Sequence, residues 1–128
     1  MEPKELETFV SLAGQNFSNT KREVQMEALL MFGKCICAME AVDVAKYRSV
    51  ITSILQLLTI LLQNGDETNA QKLLQVLIDI ASENVTFFRQ HISELIKMCT
   101  ALSTENNLEA GTRTLGLEIL CMVVFSAL

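Results

Sequence analysis

Apolar positions recur at intervals of three and four along nearly the whole 128-residue chain, the period of a helix that buries one face. The widest stripe runs Tyr47, Val50, Ile51, Ile54, Leu55, Leu58, Leu61, Leu62, and "NGDETN" breaks it with turn-forming residues. A second stripe holds Leu73, Leu74, Leu77, Ile80 and Ala81 and ends at "SENV". A third carries Phe88, Ile92, Leu95, Ile96, Cys99 and Leu102 and ends at "STENN". The pattern predicts six main helices at roughly 3–16, 20–39, 44–63, 67–83, 86–103 and 108–127, with ends placed to about 2–4 residues. Helices of this length joined by short polar turns stack as antiparallel pairs.

The pairs repeat. Tyr47-Arg48 and Phe88-Arg89 lie 41 residues apart, as do Ile51 and Ile92, Ile54 and Leu95, and Leu61 and Leu102. "REVQMEALLM" from Arg22 returns ninety-one residues later as "RTLGLEILCM" from Arg113. A period near 41 lies in the range of HEAT repeats, helix hairpins that stack on their neighbours. The predicted fold class is therefore all-α, a HEAT-repeat solenoid of about three hairpins, forming one segment over 1–128 with repeats at roughly 1–42, 43–84 and 85–128. Arg22 and Lys72 are 50 apart rather than 41, so the connection "CICAMEAVDVAKY" must hold extra residues. In the middle repeat's second helix, Ile78-Asp79-Ile80 aligns best with Leu117-Glu118-Ile119, at an offset of 39.

Asn16, Asp66 and Asn107 each fall six residues before a base, Arg22, Lys72 and Arg113 respectively. Three instances in register suggest a polar ladder, in which each turn group meets the base opening the second helix. Ordinary turn chemistry beside a solvated base is the alternative. The first helix "PKELETFVSLAG" is short, and the apolar pattern is still running at "VVFSAL". The expectation is a segment of a longer solenoid, with apolar ends at Leu6, Phe9, Val10 and at Val123, Val124, Phe125. Such ends would make the isolated segment self-associate.

Composition narrows the function. Half the residues are hydrophobic, with one proline and five glycines, and the formal charge is −5. That charge argues against nucleic acid as the main partner; an acidic surface favours basic partners, though more often it only keeps a protein soluble. The four cysteines (Cys35, Cys37, Cys99, Cys121) lie in apolar helical runs without CxxC spacing, so reduced and mostly buried thiols of an intracellular reducing compartment are expected. The longest apolar runs are short and interrupted by polar residues, so no membrane segment is predicted. Two glycosylation sequons, at Asn16 and Asn84, read as chance matches without a signal peptide.

Catalytic chemistry has little to stand on. His91 is the one histidine and reads as a surface or turn-facing residue, and Glu94 and Lys97 are helix-face neighbours. The chain holds no metal-ligand spacing and no GxxxxGK[ST], GxGxxG or GxSxG motif. No enzyme activity, cofactor or metal is expected.

In a HEAT solenoid the second helices line the concave face. Projected at 100° per residue, each leaves a narrow polar strip opposite its core: Glu23 and Glu27 in the first, Gln75 and Asp79 in the second, Thr114 and Glu118 in the third. One reading is a solvated surface face. The other is an acidic track, one carboxylate per repeat at Glu27, Asp79 and Glu118, for Lys/Arg-rich partners.

A specific resemblance begins at "LLQVLIDIASENVTFFRQHISELIKMC". Leu77-Ile78-Asp79-Ile80-Ala81, then Phe87-Phe88-Arg89 and His91-Ile92, resemble a repeat in the N-terminal third of the importin-beta superfamily, beta-3 (importin-5-like) branch. "GTRTLGLEIL" is similar to the segment that follows there; the likeness covers about residues 66–124 well and the first 65 in general pattern. Gln90 stands where that family often has proline. The resemblance implies a non-enzymatic nuclear transport receptor that shuttles between cytoplasm and nucleus. Its implied partners are basic cargo proteins, the Ran GTPase (whose GTP form releases cargo) and nucleoporins. A HEAT scaffold of phosphatase-regulatory or ubiquitin-ligase-regulatory type is the alternative.

Overall fold

The computed structural model describes residues 2–83 and 85–127. Helix α1 (Pro3–Gln15) pairs with α2 (Arg22–Cys35). A five-residue helix, α3 (Ala41–Ala45), stands in the connection to α4 (Ser49–Gln63), which pairs with α5 (Glu67–Glu83). Finally α6 (Ile92–Thr104) pairs with α7 (Ala110–Ala127). The described residues contain no strand. The chain is an all-α stack of helix hairpins.

The six long helices lie close to where the apolar period puts them, and the three largest departures have local causes. Helix α4 starts at Ser49 rather than near 44, because α3 ends at Ala45 and Lys46–Arg48 form a turn. Helix α2 stops at Cys35 instead of near residue 39. Ile36–Ala38 tighten into a 3-10 turn that keeps Ile36 buried, and Met39 leaves in an extended conformation (φ −93°, ψ 146°). The third hairpin's first α-helix starts at Ile92 rather than near 86, because Val85–His91 wind as a 3-10 segment. That segment is walled by α5, α6 and α7. Phe87 and Phe88 are consecutive yet both buried, their ring centroids 6.2 Å apart. The extra residues between the first two hairpins are the Ile36–Ala38 turn and α3.

The α4–α5 turn follows from its sequence. Gly65 has φ +74°, a left-handed conformation that glycine adopts without a Cβ penalty. Its N–H donates to Leu62 O, and the Asp66 N–H donates to Leu61 O at 2.8 Å, the two bonds of a Schellman helix end. Asp66 then opens α5: its Oδ1 accepts from the Asn69 N–H at 3.2 Å, as an N-cap does.

Stacking runs through the second helices. Helix α5 touches α2 on one side and α7 on the other, giving a continuous row α2–α5–α7. Close approach at the first crossing requires glycine: a Cβ on Gly33 would lie 3.0 Å from Val76 Cγ2. Between the first two hairpins an aromatic cluster fills the space, with Phe17–Phe32 centroids 5.4 Å apart and Phe32–Tyr47 centroids 5.8 Å apart. Leu29, Phe32, Ile51, Ile54, Leu58, Leu73, Leu74, Leu77 and Leu95 belong to one contiguous buried core. Each such side chain contributes about 1.5–3 kcal/mol on full burial.

Candidate interaction surface

The six residues read as an acidic strip lie on the helices of the stacked row. Glu23 and Glu27 on α2, Gln75 on α5, and Thr114 and Glu118 on α7 are exposed, while Asp79 is half-buried. Asp79 Oδ1 accepts from Gln75 Nε2 at 3.1 Å, so part of its hydrogen-bonding capacity is used within its own helix. Among the described residues, Glu23, Glu27 and Glu118 make no ion pair. Three adjacent helices thus carry one carboxylate each at Glu27, Asp79 and Glu118.

The polar residues of the turns do not pair as the six-residue spacing suggests. Asn16 ends α1: its Nδ2 donates to Leu12 O at 2.9 Å and its Oδ1 accepts from Asn19 Nδ2. Arg22 is exposed. Asp66 is committed to capping α5 and accepts from both nitrogens of Asn69, while Lys72 points into solvent almost two turns on. Arg113 does tie its helix to the preceding one, but through Ser103 O in the last turn of α6, at 3.4 Å, rather than through Asn107. Capping is local and loses less side-chain freedom than a reach across the turn, so it wins.

A different ladder joins the second and third hairpins. Glu67, in the first turn of α5, accepts at Oε1 from the Glu109 backbone N–H (2.9 Å) and the Thr112 hydroxyl (2.7 Å). The carboxylate therefore caps the start of α7, where a helix's free N–H groups and dipole favour negative charge. Gln71 Nε2 donates to Thr112 Oγ1 at 3.0 Å and to Glu109 Oε2 at 3.3 Å. Thr112 is fully buried, so its hydroxyl has no water to fall back on. Gln71 and Thr112 stand 41 residues apart, and that shared register was the one trace of this network in the sequence.

The cysteines divide. All four are free thiols. Cys99 is fully buried, and desolvation pushes its pKa up to about 12. Cys35 is half-buried; burial, and next the charge of Cys37, push its thiol up. Cys37 and Cys121 are exposed, contrary to the expectation of burial. Cys37 lies in the 3-10 turn after α2, and Cys121 lies on the outer side of α7, which is apolar nearly all round. His91 closes the 3-10 segment, its Nδ1 buried and 3.9 Å from Glu94 Oε2, so it is less exposed than a surface residue. The described residues hold no group of three potential metal ligands. No described helix is long and apolar enough to cross a membrane. Asn84, of the second sequon, lies outside the described residues.

The sequence pattern of the family described as "IPO5-like, TPR repeats" matches residues 2–98, well over half of the chain. The chain belongs to this family. The match takes in the first two hairpins and the first half of α6; it reaches further towards the N-terminus than the likeness over 66–124 and stops before "GTRTLGLEIL". The family's description speaks of TPR repeats, which run about 34 residues, whereas the apolar pattern of this sequence recurs near 41. TPR and HEAT repeats are both stacked helix pairs. Neither a curated protein nor a solved structure matches the chain. As a member of an importin-type repeat family, this chain offers a scaffold surface for protein partners.

Proposed function

We propose that this IPO5-like chain is a segment of a nuclear transport receptor that binds without catalysing. In this reading it shuttles between cytoplasm and nucleus, carries basic cargo past nucleoporins, and releases it when Ran-GTP binds. The observation that carries the proposal is the family match over residues 2–98. The stacked row α2–α5–α7 supports it, because Glu27, Asp79 and Glu118 sit one to a helix on neighbouring helices. An exposed ion pair contributes about 0.2–1 kcal/mol and is screened by salt. A track of such sites would therefore hold a Lys/Arg-rich segment collectively and let it shift in register.

The test is retention of Ran by the full-length protein, with Ran loaded with GTP or GDP. The expected result is GTP-selective retention together with loss of bound basic cargo. Equal retention of both forms, or of neither, would contradict the receptor reading and leave a HEAT scaffold that organises enzymes.

A further inference from the structure

The α4–α5 turn carries a chemistry that stacking does not use. Asn64 is followed by glycine, and the other six asparagines of the chain are not. A glycine nitrogen is the least hindered neighbour that a side-chain amide can have, because no Cβ stands beside it. Asn64 and Gly65 are both exposed, so water reaches them. A Cβ built on Gly65 would meet nothing within 4 Å, so the turn moves without pushing on a neighbour. The side-chain amides of Asn16, Asn19 and Asn69 are held by Leu12 O, Asn16 Oδ1 and Asp66 Oδ2, and among the described residues no such bond holds that of Asn64.

The reaction open to this pair needs only water. The Gly65 nitrogen gives its proton to water and attacks Asn64 Cγ; the bond from Cγ to the amide nitrogen breaks, and ammonia leaves a cyclic succinimide. Water then opens the ring at either carbonyl, which yields aspartate or isoaspartate. The folded turn restrains the first step. Asn64 sits at φ −88°, ψ −1°, and the Gly65 N–H donates to Leu62 O at 3.2 Å. Rotating ψ towards attack breaks that bond, which lies at a helix end, where backbone bonds open most readily.

We propose that Asn64 is a site of spontaneous deamidation whose products loosen the joint between the second and third hairpins. Isoaspartate carries the main chain through Cβ and Cγ. That lengthening spoils the spacing on which the Gly65 N–H to Leu62 O and Asp66 N–H to Leu61 O bonds depend. Either product also places a carboxylate at the carboxyl end of α4, where the helix dipole disfavours it and the last turn holds no base. Asp66 caps α5 directly afterwards, and Glu67 beside it holds the Glu109 N–H and the Thr112 hydroxyl. A displaced turn therefore shifts the carboxylate that ties α5 to α7. This chemistry is independent of the transport reading.

Ageing the full chain in mildly alkaline buffer tests this, with peptide mapping by mass spectrometry to place each amide-to-acid conversion. An isoaspartyl methyltransferase supplied with labelled S-adenosylmethionine counts the isoaspartate. Asn64 should convert several-fold faster than any other asparagine. Asn64→Gln, which must close a larger ring, should take up almost no label over the same time. The aged wild type should show a lower urea midpoint and faster hydrogen exchange at the Glu109 amide, with the amides of α2 unchanged. Aged Asn64→Gln should match its own fresh sample in both. An Asn64 that converts no faster than the other asparagines, or a converted chain that keeps either the fresh midpoint or the fresh Glu109 exchange rate, would overturn the proposal.

Discussion

Replacing Thr112 with valine removes one hydroxyl from the boundary between the second and third hairpins and leaves the side chain's shape nearly unchanged. The hydroxyl donates to the Glu67 carboxylate at 2.7 Å and accepts from Gln71 Nε2 at 3.0 Å. A bond to a charged group is worth about 1.5–3 kcal/mol and a neutral one about 0.5–1.5. Glu67 and Gln71 are only half-buried and recover some hydration, and Glu67 keeps the Glu109 N–H. The net loss should therefore fall near the lower bound of that sum, about 2 kcal/mol. With a urea m-value of about 2 kcal/mol/M for a chain of this size, the unfolding midpoint drops by about 1 M at unchanged slope. Thr112→Ser keeps both bonds and loses one methyl, a cost of about 1 kcal/mol. Urea titration followed by circular dichroism separates the two. A Thr112→Val midpoint equal to or above that of Thr112→Ser would refute the claim that this hydroxyl couples the repeats.

Gly33→Ala gains about 1 kcal/mol of helix propensity but places a Cβ 3.0 Å from Val76 Cγ2. A β-branched neighbour yields little, so a net destabilisation of about 1–2 kcal/mol is expected. Adding Val76→Ala should reveal coupling above about 0.5 kcal/mol in a double-mutant cycle, and additivity would count against the close approach. A thiol reagent should label Cys37 and Cys121 first, Cys35 more slowly and Cys99 only on unfolding; early Cys99 labelling would contradict its burial. The folded Cys99 thiol titrates at about 12 and an unfolded one near ~8.5, so at alkaline pH the unfolded chain has lost a proton that the folded chain keeps. This group's effect on stability is flat below the unfolded value. Stability then falls by about 1.4 kcal/mol per pH unit towards the folded value, a slope that Cys99→Ala should abolish.

The helices were legible because their stripes are long and their breakers polar: nothing but a helix gives Val50 to Leu62 their spacing, although Tyr47, in phase with them, lies in the turn before α4, and "NGDETN" holds the glycine that a helix end needs. The 3-10 segment at Val85–His91 was not, since Phe88 is in phase with Ile92 and reads as one more helical turn. Its winding depends on walls from three other helices. Exposure on α7 was hidden for the opposite reason: a helix apolar everywhere but one narrow strip does not say which of its apolar sides is covered. Ile119 and Val123 are buried, while Val124 and Phe125 are open, so of the expected apolar end at Val123, Val124 and Phe125 only Val123 is covered. At the other end Phe9 is exposed, Leu6 is half-buried and Val10 is on the buried face of α1. The Glu67–Gln71–Glu109–Thr112 ladder spans 38 to 45 residues, and each member alone looks like a surface helix residue. The acidic strip needed only helical phase, which is local, and five of its six residues are exposed.

The central claim is that the stacked second helices present an acidic track to basic partners. The direct measurement is the affinity of the full-length protein for a Lys/Arg-rich cargo peptide across a salt series, with wild type beside Glu27→Gln, Asp79→Asn, Glu118→Gln combined. The account predicts weaker binding at low salt, a shallower dependence of affinity on salt, and unchanged helicity in the triple variant. Wild-type affinity together with a wild-type salt slope would contradict it.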